Sequence, residues 1–571
     1  MKRIKFIAFT VVLLCIFNNA KSNSLIESRE IKDSIENKID TLIAHMGLSS
    51  TTPGGVVGVI KNGKIIFIKA YGFANFETKE PNKTSTLFNI ASVSKQFTAA
   101  AILLLAKEKK LSLRDDIKKY LPDFPDYGTT ITIENLVHHT CGIRSYDVLK
   151  LLAGKTDSIE TQEEIYKLII KQKALNFKPG DEFLYSNSGY VLLVKIIEKA
   201  SGISFSKFIE ERIFRQAGMN QTAIYDHYGK IIKHSASGHS WGENGKFNRT
   251  VIMNSTVVGQ SNIYTCVADF LKWDNNFYKN KLGNWDFNKE MTKLTKLNNG
   301  DKCSYAFGLE IAEHNGLKTI SHQGGIGDFT AQYVQVPSEN LSVVCLFNIP
   351  VDVTGLAYNI TDLYIKGKPK TLDTPSPAEK VMVDSAVLQK YVGKYFDEKQ
   401  WLLTTITKEN DHLIFEAPYQ DKFEMYPSSD SSFFVSFADM KLIFSKDSKG
   451  KIEKLTIIQD GQKIPLAYMG NNIFPKQASG LNEYAADFYS EEINATYPVI
   501  SKDNKLFVKF PQSLARFCKG NPEAELVSEY ADYFATPLGG FQFTRNSKNE
   551  ISGFILRDVG RVRDLVFRKS K

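Results

Sequence analysis

Charged and apolar positions alternate at helical spacing along residues 25–47, and this predicts an amphipathic first helix. The pattern then shortens to strand-length runs. Gly54–Ile60 and Ile65–Ala70 flank Lys61-Asn62-Gly63-Lys64, which predicts a β-hairpin closed by an Asn-Gly turn. The Ala- and Leu-rich run after Asn89, with apolar recurrence at Phe97, Ala101, Leu104 and Leu105, predicts a buried helix. Residues 130–285 read as helices and loops, with a glycine break at Gly259. Strand patterns resume over 305–350. Gly308–Ala312 and Leu317–Ser321 flank an Asn315-Gly316 turn, and Phe329–Val336 and Leu341–Phe347 continue the antiparallel set. Strands at both ends with helices between them predict an α/β (α+β) domain over 25–365, one antiparallel sheet covered by a helical region.

Over 366–380 the composition changes to Lys-Gly-Lys-Pro-Lys and Thr-Pro-Ser-Pro, the pattern of a stiff linker. Beyond it, short strands and turns occur in two copies, 381–470 and 478–571. Leu388-Gln-Lys-Tyr391 answers to Leu481-Asn-Glu-Tyr484, and Phe444–Ile452 answers to Phe543–Ile551. Each copy offers about eight strand-like runs, enough to close a small all-β, lipocalin-like barrel without exposed edges. Two barrels, or one shared between the copies, both satisfy the pattern.

Hydrophobic content of 43% and charged content of 24% place the chain among soluble globular proteins. The first 22 residues carry an export signal: Lys2, Arg3 and Lys5, an apolar run from Phe6 to Phe17, then Ala20-Lys21-Ser22 as a small-x-small cleavage site. The apolar run is too short to span a bilayer, so the mature protein is expected in the periplasm or outside the cell with no transmembrane span. Cys15 follows Leu14 rather than a small residue, which argues against lipidation. Removing Lys2, Arg3, Lys5 and Lys21 takes the net charge from +9 to +5. That excess is spread out, without a basic run interleaved with aromatics, so nucleic acid is not expected as a partner. The remaining cysteines, Cys141, Cys266, Cys303, Cys345 and Cys518, are odd in number and lack paired spacing, which argues against a disulfide framework. Cys345 reads as strand core. No metal or other cofactor is expected, because the histidines and cysteines show no ligand-pair spacing.

Three stretches carry candidate chemistry. Ser92 stands where an extended segment enters the Ala-rich helix, and Lys95, three positions on, shares its face. A lysine sunk among apolar side chains can take a proton from a neighbouring hydroxyl, making Ser92 a nucleophile with a base attached. In Lys178-Pro-Gly-Asp-Glu-Phe-Leu-Tyr185-Ser-Asn187, a turn precedes a helix beginning near Ser188. A tyrosine near a lysine can relay protons, and an amide can hold a substrate carbonyl. In Ser321-His322-Gln323-Gly324-Gly325, glycines at a strand end admit a substrate backbone, and the Gly325 amide can donate to an oxyanion. None of these patterns suffices alone. Ser-x-x-Lys recurs at Ser204–Lys207 and Ser448–Lys451, Tyr-x-Asn at Tyr278–Asn280, and His-x-Gly at His45, His227 and His314.

Their joint order and spacing is informative. Ser92-x-x-Lys95, Tyr185-x-Asn187 and His322-x-Gly324, with Leu136-Val-His-His139-Thr-Cys141-Gly-Ile143 and the Pro179-Gly180 turn, resemble the serine hydrolases related to class C β-lactamases and DD-peptidases. That group includes penicillin-binding proteins, D-aminopeptidases and some esterases. The resemblance covers about 35–365 and implies an acyl-enzyme on Ser92, with Lys95 and Tyr185 as proton shuttles. It further implies an oxyanion hole from the amides of Ser92 and Gly325, and substrate contacts from Asn187, His322 and Gly324. The expected partner is a small-molecule or peptide substrate: a D-amino-acid peptide, an ester or a β-lactam. His322 departs from the Lys of the β-lactamase Lys-Thr-Gly triplet, which disfavours β-lactam hydrolysis. Gly259-Gln-Ser-Asn stands where relatives often show paired glycines. His139 and Cys141 read as structural, Val191–Ile197 as core, and Pro511–Ala524 as a long loop at the cleft mouth. An esterase with the same residues, a β-lactamase, and a silent binding protein acting through the barrels are the alternatives to a D-peptide amidase.

Overall fold

The computed structural model describes residues 34–155, 160–249, 255–283, 285–365, 381, 383–397, 402–416, 422–435, 440–459, 462–470, 480–530 and 532–570. The expected leader, the linker over 366–380 and the start of the first helix lie outside these residues. The chain divides into two compact units. One comprises Met1–Leu111, Ile197–Thr295 and Ser304–Gly367, and the other Ser112–Ile196, Lys296–Cys303 and Lys368–Lys571.

The first unit is built on a six-stranded antiparallel sheet. Its order is Glu310–His314, Leu317–Ile326, Phe329–Val336, Leu341–Phe347, Gly55–Lys61 and Lys64–Tyr71. Both expected Asn-Gly turns form, with Asn62 and Gly63 at φ 52° and 70° and Asn315 and Gly316 at 51° and 78°. Two left-handed residues in a row match the twist of the flanking strands, which is why these sequences close hairpins. One face of the sheet buries Val57, Val59, Val334, Val343 and Cys345 against Ile39 and Ile43 of the first helix and Leu356 and Ile360 of the helix Val353–Tyr364. The other face meets the helix Val267–Lys279, where the rings of Phe270 and Tyr333 lie 5.5 Å apart. Behind it, Trp273 packs at 4.3 Å on Phe97 of the helix Lys95–Lys107.

The strand bearing His322 is longer than its sequence suggests. It runs to Ile326, with His322 opposite Tyr333, Gly324 opposite Ala331 and Gly325 opposite Thr330. The expectation that it stops at Ser321 is corrected. Glycines read as breakers in isolation, but a full-length neighbour supplies hydrogen-bond partners through them.

In the second unit, helices Ile133–Val137, Tyr146–Leu152 and Gln162–Ile170 accompany two closed antiparallel barrels. The copies therefore fold as two barrels rather than one. The first closes Gly393–Asp397 onto Gln462–Gly470, and the second closes Ala486–Ser490 onto Val562–Lys569. The repeat is visible in their interiors. Tyr391 stacks on Phe444 at 4.1 Å in the first, and Tyr484 meets Phe543 at 4.9 Å in the second. Phe488, Phe541, Phe554 and Phe567 fill the rest of the second barrel, which is a packed core. The reading of Pro511–Ala524 as a long loop is also corrected. Gln512–Cys518 coils into a 3-10 segment, buries Leu514 and Ala515, and hydrogen-bonds Leu151 O through Ser513 Oγ at 3.0 Å.

The second barrel is fastened to the helical part of its unit by Arg144, which is 1% exposed. Its Nη1 donates to both oxygens of Glu492 at 2.9 Å, while Nε and Nη2 donate to the carbonyls of Arg563 and Asp564 at 2.7–3.0 Å. Every N–H of the guanidinium is used. Removing one member of such a buried pair strands the other charge, at about 3–5 kcal/mol. Arg144→Ala is therefore expected to lower stability by that amount in urea unfolding of the full chain. The Arg144→Met, Glu492→Met double variant should recover much of the loss. A loss below about 1 kcal/mol in the single variant would mean that the pair does not hold the barrel.

Candidate active site

Ser92 lies in a short 3-10 turn, Ala91–Ser94, that leads directly into the helix Lys95–Lys107. Ala91 adopts φ 46°, a left-handed conformation costly for a residue with a Cβ. Its amide is held by Asn89 Oδ1 at 2.9 Å, and Asn89 Nδ2 in turn donates to Asn262 Oδ1 at 3.0 Å. A buried asparagine pair thus stabilises the strained turn that presents the serine.

Lys95 is completely buried, and its ammonium donates to Ser92 Oγ at 3.1 Å and to the carbonyl of Gln260 at 3.0 Å. The helical face expected for Ser-x-x-Lys is realised. Gln260 was not legible as a partner because its contribution is a main-chain oxygen, available from any residue type. The segment is fixed next door, where Thr98 Oγ1 donates to the Gly259 carbonyl at 2.7 Å. The Gly259-Gln260 departure noted in the sequence therefore wraps onto the lysine helix.

The His322 strand approaches the same turn. A Cβ on Gly324 would stand 2.4 Å from the Ile90 carbonyl oxygen and 3.0 Å from both the Ser92 nitrogen and the Ala91 Cβ. Only a glycine lets the strand and the serine turn meet at this distance. Gly325, by contrast, faces open space. His322 is buried, with Nδ1 at 2.5 Å from the Gln323 carbonyl and Nε2 at 2.8 Å from the Tyr305 hydroxyl. A carbonyl only accepts, so Nδ1 carries the proton and the Tyr305 hydroxyl donates to Nε2. Burial, reinforced by the nearby Lys95 charge, pushes the imidazole pKa down to about 3. His322 is a neutral imidazole. Tyr305 was missed by sequence reasoning, since a lone tyrosine ahead of a strand carries no motif.

Tyr185 and Asn187 belong to the other unit. The Tyr185 ring packs at 4.2 Å on His139, and the guanidinium of Arg561 stands 4.7 Å over it. His139 itself adopts φ 57°; its Nδ1 accepts from the Ser186 amide at 3.2 Å and its carbonyl accepts from Leu184 at 3.0 Å. Those bonds splint the segment on both sides of Tyr185. Asn187 opens the helix Asn187–Ser201, one residue earlier than expected. Its amide donates to Ser145 Oγ at 2.9 Å, and that hydroxyl donates to Asp147 Oδ1 at 2.5 Å. Cys141 is buried, and burial pushes its thiol pKa up to about 11, away from nucleophilic chemistry. Arg561 was the other residue sequence reasoning missed.

The first unit thus gathers Ser92, Lys95, His322, Gly324 and Gly325, and the second holds Tyr185 and Asn187. Among the described residues, no group of three His, Cys, Asp or Glu side chains is placed to hold a metal ion. No helix among them is long and apolar enough to cross a membrane.

Residues 38–364 match the family model described as Beta-lactamase. A penicillin-binding protein of Bacillus subtilis is 27% identical, covering 73% of this chain and 95% of its own. A D-aminopeptidase of Brucella anthropi is 23% identical over 90% of this chain and 95% of its own. The fold is also that of an octameric penicillin-binding protein homologue from Pyrococcus abyssi, with a TM-score of 0.54 at 22% identity, covering 84% of this chain and 98% of that one. With its Ser92–Lys95 pair and a family match spanning more than half its length, the chain belongs to the Beta-lactamase family of serine hydrolases.

Proposed function

We propose that this protein is an exported hydrolase that cleaves amide bonds in D-amino-acid-containing peptides through an acyl-enzyme on Ser92. The observation that carries the reading is the buried Lys95 ammonium at 3.1 Å from Ser92 Oγ. In the proposed cycle, burial favours loss of one Lys95 proton to solvent. The free amine then takes the Ser92 proton as the Ser92 oxygen attacks the substrate carbonyl, and that proton passes by way of Tyr185 to the leaving amine. The same groups then activate the water that releases the acyl group. The amides of Ser92 and Gly325 receive the oxyanion, each donor contributing about 3–4 kcal/mol to the transition state. Asn187 orients the substrate amide.

His322 acts as a neutral imidazole beside the open strand edge, so this strand offers no permanent cation where β-lactamases carry Lys. That favours peptides over β-lactams. The D-aminopeptidase relative aligns over 90% of this chain, which favours amides over esters. Export is supported by the basic, apolar and small-residue pattern of residues 1–22.

Ser92→Ala is expected to abolish fluorophosphonate labelling while the protein stays folded. Lys95→Ala and Tyr185→Phe should each lower turnover by about 100-fold or more. Near-normal turnover in either removes that residue from the proton shuttle. Wild type should turn over D-alanyl-p-nitroanilide with a higher kcat/KM than its L-isomer. Its ratio of anilide to p-nitrophenyl acetate turnover should also exceed that of a simple esterase; a reversed D/L order overturns the substrate class. The depressed His322 pKa also has a sign that can be checked. An imidazole with an ordinary pKa of 6.5 would place a limb in the activity profile there, whereas one held near 3 stays neutral throughout. The kcat/KM profile between about pH 5 and 8 should keep its shape in His322→Asn. A limb near 6.5 that disappears in the variant would show that the histidine titrates.

A further inference from the structure

The two most exposed large apolar side chains among the described residues stand three positions apart. Ile231 is 86% exposed and Tyr228 is 52% exposed, in the turn over residues 225–235 of the first unit. Apolar groups scattered singly over a surface are ordinary, whereas two in one turn form a patch that calls for a partner. Neither residue has a place in the site built around Ser92.

The turn is braced along its length. The Asp226 carboxylate accepts from Lys230 Nζ at 3.0 Å and lies 2.9 Å from His227 Nδ1. The Gly229 amide donates to the Tyr225 hydroxyl at 3.3 Å, and the Lys230 amide to the His227 carbonyl at 3.2 Å. Ser235 Oγ donates to the Ile232 carbonyl at 2.8 Å, and the base is tied to Leu87 at both His234 and Ala236. Side chains presented by a fixed backbone lose little further freedom when a partner covers them. Charge and size say what that partner is. Between Gln221 and Trp241 the sequence carries two lysines, Lys230 and Lys233, and one acid, Asp226. Lys230 is committed to Asp226, while Lys233 is exposed and makes no ion pair among the described residues. An aliphatic tip, a ring with a polar end and an ammonium on a long stem suit a lipid–water interface. A stable protein interface needs a patch many residues wide, whereas a lipid surface needs no matching shape.

We propose that this turn is an interfacial anchor: Tyr228 and Ile231 dip into a bilayer that carries anionic phospholipid, and Lys233 pairs with a headgroup phosphate. The inference is independent of the chemistry assigned to Ser92. The test attaches an environment-sensitive fluorophore to Ile231→Cys in the full chain, where the described cysteines are all buried. Vesicles of phosphatidylglycerol and phosphatidylcholine in equal parts should shift its emission to the blue. The same label on Glu313→Cys, at an exposed sheet edge, should not respond. The lipid concentration that gives half the shift should rise about fivefold in Lys233→Gln, and by a similar factor in Tyr228→Ser. On phosphatidylcholine alone the Lys233→Gln effect should vanish, while that of Tyr228→Ser should remain. Thermal melting and p-nitrophenyl acetate turnover of each variant report folding, which the bracing bonds should preserve. No shift at position 231 overturns the proposal, as does an equal shift at position 313. A blue shift that grows with protein concentration in the absence of vesicles assigns the turn to a contact between copies and overturns the lipid reading.

Discussion

A fully buried ammonium is among the costliest groups a fold can contain, and the first unit is arranged to satisfy one. Lys95 stands at the start of a helix with Ser92 Oγ and the Gln260 carbonyl as acceptors. Its charge explains features that otherwise look separate. His322 is held neutral in part because a second cation nearby would be repelled. Gly259 and Gln260 wrap onto the helix so that a carbonyl, an acceptor that needs no desolvated side chain, reaches the amine. Ala91 tolerates a left-handed backbone because that conformation delivers the Ser92 hydroxyl to the lysine. The stored strain and the buried charge are two sides of one constraint.

Much of this was legible in the sequence where side-chain identity carries the information. The spacing of Ser92 and Lys95 fixes a shared helical face, and two Asn-Gly pairs fix hairpin register. The paired aromatic positions Tyr391 with Phe444 and Tyr484 with Phe543 betray the duplicated barrel. What was not legible divides by physical cause. Gln260 acts through its main chain, which sequence does not distinguish from any other residue. Tyr305 and Arg561 act through proximity created only by the fold, from positions with no local signal. The strand Leu317–Ile326 runs on past Ser321 because its neighbour pairs with it through the glycines, and at Gly324 the missing Cβ lets two backbones approach. Arg144 sits beside a recognisable motif, but nothing about its neighbours announced that it would be buried.

The two barrels share one construction and differ in attachment. Aromatic side chains fill the second from wall to wall, so its body is a rigid support rather than a container. Variation is then concentrated in the turns. The fixed interior sets where each hairpin emerges, and the short sequence at its tip decides what is presented. Gly560 and Arg561 occupy such a position, and the Arg561 guanidinium stands over the Tyr185 ring.

The clasp formed by Arg144 and Glu492 makes distant parts of one unit depend on each other. Arg144 follows directly on Leu136–Ile143, the stretch that includes His139 and splints Tyr185, and its partners lie 348 to 420 residues further along. Loss of the Glu492 carboxylate or of the Arg563 and Asp564 carbonyls would leave the Arg144 guanidinium buried without partners. The segment that holds Tyr185 is thereby tied to residues hundreds of positions away, so the second barrel and the helical part of this unit stand or fall together.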